Sequence, residues 1–271
     1  MTTSSMTINS WRLGEVTLKV LDLDAEADFY QHFGMRLLGR DAAGALLGAD
    51  NTPLLRLVQL SGGRARPVRT AGLYHFAILV PSEADLGAFV RHAAADKLPF
   101  VGAADHLVSE ALYFEDPEGN QIEVYRDRPA DEWTWIDGAV EIATLHLDLN
   151  RLARVPGAEW AGFPAGTVLG HMHLNVANLD RSQAFYETLG MKVMADVGGF
   201  MRFMSWDNYH HHLGLNLAQG RGAAPVEPDV SGVASFTVRR VESVLESLAD
   251  PDGIQLVPAG SPVLAEAKAP A

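Results

Sequence analysis

GHMHLNVANLDRSQAFYETLGM, residues 170–191, is the stretch from which the fold can be read. Alternate side chains of a strand share a face, so Met172, Leu174 and Val176 point to a core while His171 and His173 share the opposite face. Such a pair is either part of a solvated strand surface or the wall of a cavity that holds a metal. After the strand, Asp180 is placed to cap a helix that carries Phe185 and Tyr186 and stops at Gly190.

The same pattern occurs earlier in the chain. A gapless shift of 156 positions lays GEVTLKVLDLDAEADFYQHFGM, residues 14–35, on the quoted segment, with identities that include Gly14/Gly170, Leu18/Leu174, Asp24/Asp180, Tyr30/Tyr186 and Met35/Met191. A weaker pair is GLYHFAILV at 72–80 and GVASFTVRR at 232–240, each followed by a stretch with helical spacing. Two Asp-Pro-x-Gly turns, DPEGNQIEVY at 116–125 and DPDGIQLV at 250–257, each feed a strand. Four modules result, at 12–60, 72–126, 167–217 and 230–258. The expected division is an N-terminal domain at 1–130, a linker at 131–166 and a C-terminal domain at 167–271. His75 precedes its turn at Asp116 by 41 positions, whereas Ser235 precedes Asp250 by 15, so the fourth module is expected to lack two middle strands.

Composition narrows the function. The 271 residues are 48% hydrophobic and 20% charged, enough for a substantial core. A formal charge of −13 disfavours nucleic acid and anionic membranes as partners and points to a small molecule. The chain contains no cysteine, so a metal must be held by His, Asp or Glu. No leader pattern or long apolar run is present, and the expected location is the cytoplasm.

Alternation sorts the polar residues of the other strands. His75 lies opposite the face formed by Tyr74, Phe76, Ile78 and Val80, and Glu123 lies opposite Ile122 and Val124. In NYHHHLGLN at 208–216, His210 and His212 share a face with Gly214 and Asn216, and His211 falls on the packed side. Any one of these histidines alone reads as structural. His75, Glu123, His171 and His212 together occupy the first and last strands of modules two and three, which reads as a metal site. In module one the shift carries His171 onto Glu15 and His212 onto Arg56, a charge pair in place of ligands.

GLYHFAILVPS, DHLVSEALYFEDPEGNQIEVYRDRP, GHMHLNV and YHHHLGLN together resemble the vicinal oxygen chelate superfamily, which embraces glyoxalases, bleomycin resistance proteins and extradiol dioxygenases. The nearest match within it is the four-module, catechol 2,3-dioxygenase-like branch. The resemblance implies an α+β fold of paired βαβββ modules. It also implies His75, His171 and Glu123 as ligands, with His212 where some members place a fourth. Gathering these residues requires module two to pair with module three across the linker, leaving module one to pair with the shortened module four.

The implied reaction is ring cleavage of a catechol-type aromatic diol by O2 at Fe(II), although Mn(II), Ni(II) or Zn(II) suits the same donors. Acid and base roles then fall to His210 or His212, to His173 and to His106, with Tyr125 and Tyr209 as hydrogen-bond donors. If His212 were a ligand, the site would suit a glyoxalase-like isomerase or lyase. A drug-binding resistance protein without catalysis is the remaining alternative. RDRPADEW, residues 126–133, is either a charged connector or, through its arginines and Trp133, a pocket wall. A homo-oligomer is left open.

Overall fold

The computed structural model describes residues 12–157, 159–239 and 247–258. Module one is β1 (Arg12–Val20), α1 (Leu23–Phe33), β2 (Arg36–Arg40), β3 (Gly44–Ala49) and β4 (Thr52–Gln59). Module two follows as β5 (Gly72–Leu79), α2 (Glu83–Asp96), β6 (Phe100–Asp105), β7 (Ser109–Glu115) and β8 (Gln121–Asp127). The connection contains a single 3-10 turn (Ala130–Glu132), a hairpin, β9 (Trp135–Ile136) and β10 (Ala139–Val140), and a short α-helix, α3 (Leu149–Ala153). Module three is β11 (Val168–Asn175), α4 (Leu179–Thr188), β12 (Lys192–Val197), β13 (Met201–Ser205) and β14 (Leu213–Asn216). Module four is β15 (Gly232–Arg239), β16 (Leu248–Ala249) and β17 (Gln255–Pro258).

The repeat units fold as the matched register implies, with one correction. The helix caps are Asp22 and Asn178, two residues before Asp24 and Asp180. Their side chains accept from the N–H groups of Ala25 and Arg181 at 3.0 and 2.9 Å, satisfying first-turn donors that Asp24 and Asp180 are already inside the helix to reach. Gly34 closes α1 in the left-handed conformation at φ 117°, where a Cβ is disfavoured.

Two curved sheets result, and each takes strands from both sides of the linker. An eight-stranded sheet runs β12-β13-β14-β11-β5-β8-β7-β6, joining modules three and two along the antiparallel β11–β5 seam. A seven-stranded sheet runs β16-β17-β15-β1-β4-β3-β2, joining modules four and one along β15–β1. The fourth module is short, as expected, but one middle strand survives as the two-residue β16, paired antiparallel with β17. The helical stretch expected after Arg239 lies outside the described residues.

The largest core fills the space between the sheets with side chains from both, such as Leu18, Phe76, Met172 and Phe236, and from α1, α2 and α4. The opposite, concave face of the eight-stranded sheet therefore stays available for a site. Its edge strands are joined by the linker, through the Asp105–Leu145 bridge at β6 and through packing of Val140 with Met194 and Ala195 of β12. Among the described residues no helix is long and apolar enough to cross a membrane.

Candidate metal centre

Strand register brings three ligands around one small residue. Ala77 on β5 pairs with Glu123 on β8 to one side and with His171 on β11 to the other, while His75 lies two residues back on the same face of β5. Ala77 is fully buried, and its methyl group leaves the space above it to the three longer side chains.

His75 Nε2 lies 3.0 Å from Glu123 Oε2, His171 Nε2 lies 3.1 Å from the same oxygen, and the two nitrogens are 3.3 Å apart. All three residues are buried. Cis donors on an octahedral ion with bonds of about 2.1 Å stand about 3.0 Å apart, so this triangle matches one octahedral face. Burial by itself would raise the Glu123 carboxyl, but the imidazoles of His171 and His75 outweigh it and hold the group well below the usual carboxylate range. Burial holds the His171 imidazole down against the raising influence of Glu123, which keeps its lone pair free for a cation. Two imidazoles and one carboxylate, buried and convergent, fit a divalent metal.

The triangle opens into a cavity of about 440 Å³. His106, Tyr113, His173 and His211 line it. His106 Nδ1 donates to the Ala143 carbonyl at 2.6 Å, which leaves Nε2 to accept the Tyr113 hydroxyl at 2.7 Å. Burial, followed by repulsion from His75 and His171, keeps His173 well below the ordinary histidine range.

The histidine run differs from the alternation expected of it. Residues 206–212 bend, and β14 begins only at Leu213, so the strand period does not extend back through His210–His212. His211, expected on the packed side, lines the cavity with its ring 4.2 Å from that of His171. His212 is not brought to the triangle. Its Nδ1 shares a 2.8 Å hydrogen bond with Ser205 Oγ, and it lines a separate cavity of about 300 Å³ with Arg12, Asp127 and Asp207. Burial pushes the His212 imidazole down to about 4, against the opposing pull of Asp207.

His210 is fully buried between the two cavities. Its Nε2 donates to Asp127 Oδ1 at 2.8 Å, so in a singly protonated ring its Nδ1 accepts from His211 Nδ1–H at 2.7 Å. This chain leaves His211 Nε2 as a bare lone pair. Burial, then repulsion from His171 and His210, holds His211 well below the ordinary histidine range.

Tyr125 and Tyr209 hydrogen-bond each other at 2.8 Å and neither lines the metal cavity, whose phenols are Tyr74 and Tyr113. Tyr113 could have been found by strand alternation, since it pairs with Glu123 across β7–β8. The Tyr125 hydroxyl packs so closely on Gly170 that a Cβ there would meet it at 1.9 Å, which explains the glycine before His171. The arginines of RDRPADEW do not wall the metal cavity. Arg126 and Arg128 both bind the buried Glu110 carboxylate, and Trp133 meets His210 edge-to-face with ring centroids 5.1 Å apart. The linker's contribution comes from Ile142, Ala143 and Thr144 instead. In the other sheet Arg56 Nε meets Glu15 Oε1 at 2.9 Å, the expected pair in place of ligands.

Comparison with known proteins agrees with this architecture. Catechol-2,3-dioxygenase of Bacillus subtilis (strain 168) is 35% identical over 237 residues, which cover 83% of this chain and 81% of that protein. Glyoxalase I from Zea mays shares the fold, with a TM-score of 0.56 at 18% identity over 92% of each chain. The cppA protein from Streptococcus pneumoniae TIGR4 does so with a TM-score of 0.52 at 12% identity, over 91% of this chain and all of that one. Residues 12–124 match the family description itself, and with the paired modules and the buried His-Glu-His triangle they place this chain in the Glyoxalase/Bleomycin resistance protein/Dioxygenase superfamily.

Proposed function

We propose that the protein is an Fe(II)-dependent extradiol dioxygenase that opens the ring of a catechol-type diol with O2. The observation that carries this reading is the triangle of His75, His171 and Glu123 without a fourth protein ligand among the described residues. One ion held by these three side chains supplies enough open positions for a chelating diol and for dioxygen, which a four-ligand site does not. The glyoxalase-like alternative relied on His212, whose hydrogen bond to Ser205 holds it elsewhere. The 35% identity to a catechol-2,3-dioxygenase supports the same choice.

The chain's own groups then divide the proton work. His211 Nε2, held as a lone pair by Asp127 and His210, accepts a proton from a diol hydroxyl and later returns one to an oxygen that the ring-opened product keeps. Tyr113 Oη, resting on His106 Nε2, turns to donate a hydrogen bond to a substrate oxygen. His173 stays neutral and fills the wall beside His75. Both atoms of O2 end in the ring-opened product, so no external reductant is consumed.

Protein loaded anaerobically with Fe(II) and given catechols is expected to take up O2 and form a yellow ring-fission product. Retention of the metal with no O2 uptake across the series would overturn the proposal. Loading with Mn(II), Ni(II) or Zn(II) in parallel identifies the metal.

A further inference from the structure

The metal cavity has room for more than a diol ring. At roughly 30 Å³ for each water-sized group, about 440 Å³ holds some fifteen non-hydrogen atoms, whereas catechol has about eight. The surplus has a consistent chemistry. Val101 on β6 and Val197 on β12 come from the two edge strands, Ile142 comes from the linker that joins them, and Val108, Met201 and Phe203 fill the wall between. The ligands stand at the central β5–β11 seam, so the cavity runs from a polar metal end to an apolar end at the sheet edges.

Charge points the same way. No lysine or arginine lines the cavity, and its one carboxylate belongs to the metal ligand Glu123. Arg126, Arg128 and Arg151 converge on Glu110, whose carboxylate is buried among them, so none is directed at the cavity. Val101 and Val197, 54% and 47% exposed, form the outer part of the apolar end, while against the buried wall of Val108 and Phe203 a substrate carboxylate would lose its hydration without gaining a cation.

We infer that the substrate is a catechol bearing an uncharged alkyl or aryl substituent, seated against Val101, Ile142 and Val197, and that carboxylated catechols are rejected. This rests on the diol reading of the metal end. Its test compares catechol, n-butylcatechol, phenylcatechol and dihydroxyphenylacetate in two measurements. One is kcat/KM from O2 uptake by the Fe(II)-loaded enzyme, and the other is binding of the same four compounds under argon by calorimetry.

The butyl and phenyl compounds are expected to exceed catechol by ten-fold or more in both measurements, since each buried methylene is worth several-fold. Dihydroxyphenylacetate is expected to fall ten-fold or more below catechol. Ile142→Arg is expected to reverse the order of butylcatechol and dihydroxyphenylacetate. Equal or better use of dihydroxyphenylacetate by the unaltered enzyme, or no gain from the butyl group, would overturn the inference. If no diol is cleaved while the binding order holds, the ring-cleavage reading fails and the apolar-substituent preference survives it.

Discussion

Ala77 matters to the metal centre as much as the ligands do, because it lies between two of them in register and donates nothing. Branching at that Cβ would place methyl groups between Glu123 and His171. Ala77→Val is therefore expected to reduce metal affinity ten-fold or more with a wild-type far-UV spectrum. Metal content after dialysis checks this, and full occupancy would sink it. His171→Ala is expected to lose the metal outright, whereas His212→Ala keeps it. The chain from Asp127 through His210 to His211 predicts a different signature. Asp127→Ala removes the acceptor that fixes the tautomers, so kcat should fall by about ten-fold or more with metal content unchanged. Imidazole nitrogen chemical shifts should report a changed tautomer at His211; if kcat falls but those shifts do not move, the positioning argument is wrong. His75, Glu123 and His171 were legible in the sequence because they lie in true strands, where period two holds. His211 was misassigned because the chain bends through residues 206–212, and a bend has no period to read.

Among elements, the two Asp-Pro-x-Gly turns do more than reverse the chain. Asp116 accepts the Tyr30 hydroxyl of α1 at 2.7 Å, and Asp250 accepts the Tyr186 hydroxyl of α4 at 2.9 Å. Strands thus pair module two with three and one with four, while these contacts pair one with two and three with four. The tyrosine match was visible in the 156-residue shift, but its partner was not, since no local pattern announces a contact 86 residues away. The short module's surviving strand was equally illegible at two residues long. The latches differ at one position: Glu26 stands where the shift places Ser182. Burial, then the charges of Asp116 and Glu118, pushes the Glu26 carboxyl up to about 9. The unfolded chain loses that proton near pH 4.5, the group's ordinary value. Glu26 therefore contributes its full stability below that pH, and the contribution is lost as pH rises toward 9. Glu26→Gln, which keeps the neutral form, is expected to flatten the fall in melting temperature between pH 6 and 9 relative to the parent protein. Parallel curves for the two proteins would show that Glu26 is ionised in the fold.

At the scale of the whole molecule, chemistry and scaffolding lie in different sheets that share one core. Every ligand and every cavity residue that touches a proton belongs to the eight-stranded sheet or to the loops at its strand ends, while the seven-stranded sheet presents the Glu15–Arg56 pair. The fourth module could shrink because its sheet is asked only to pack. Phe236 on β15 is 1% exposed and lies in the core between the sheets, far in the topology from the β5–β11 seam on the concave side. Truncating it removes packing from both sheets without touching the metal triangle. Phe236→Ala is expected to cost about 3–5 kcal/mol of stability. Below its lowered melting temperature, however, it should keep one metal per chain and kcat/KM within about two-fold of the parent, because the register that sets the triangle is held by β-ladder hydrogen bonds and not by that ring. Denaturation curves paired with metal analysis and kinetics check both halves. A variant that stays folded yet loses its metal would mean that the seven-stranded sheet tunes the site through the shared core, and that the two sheets form one functional unit.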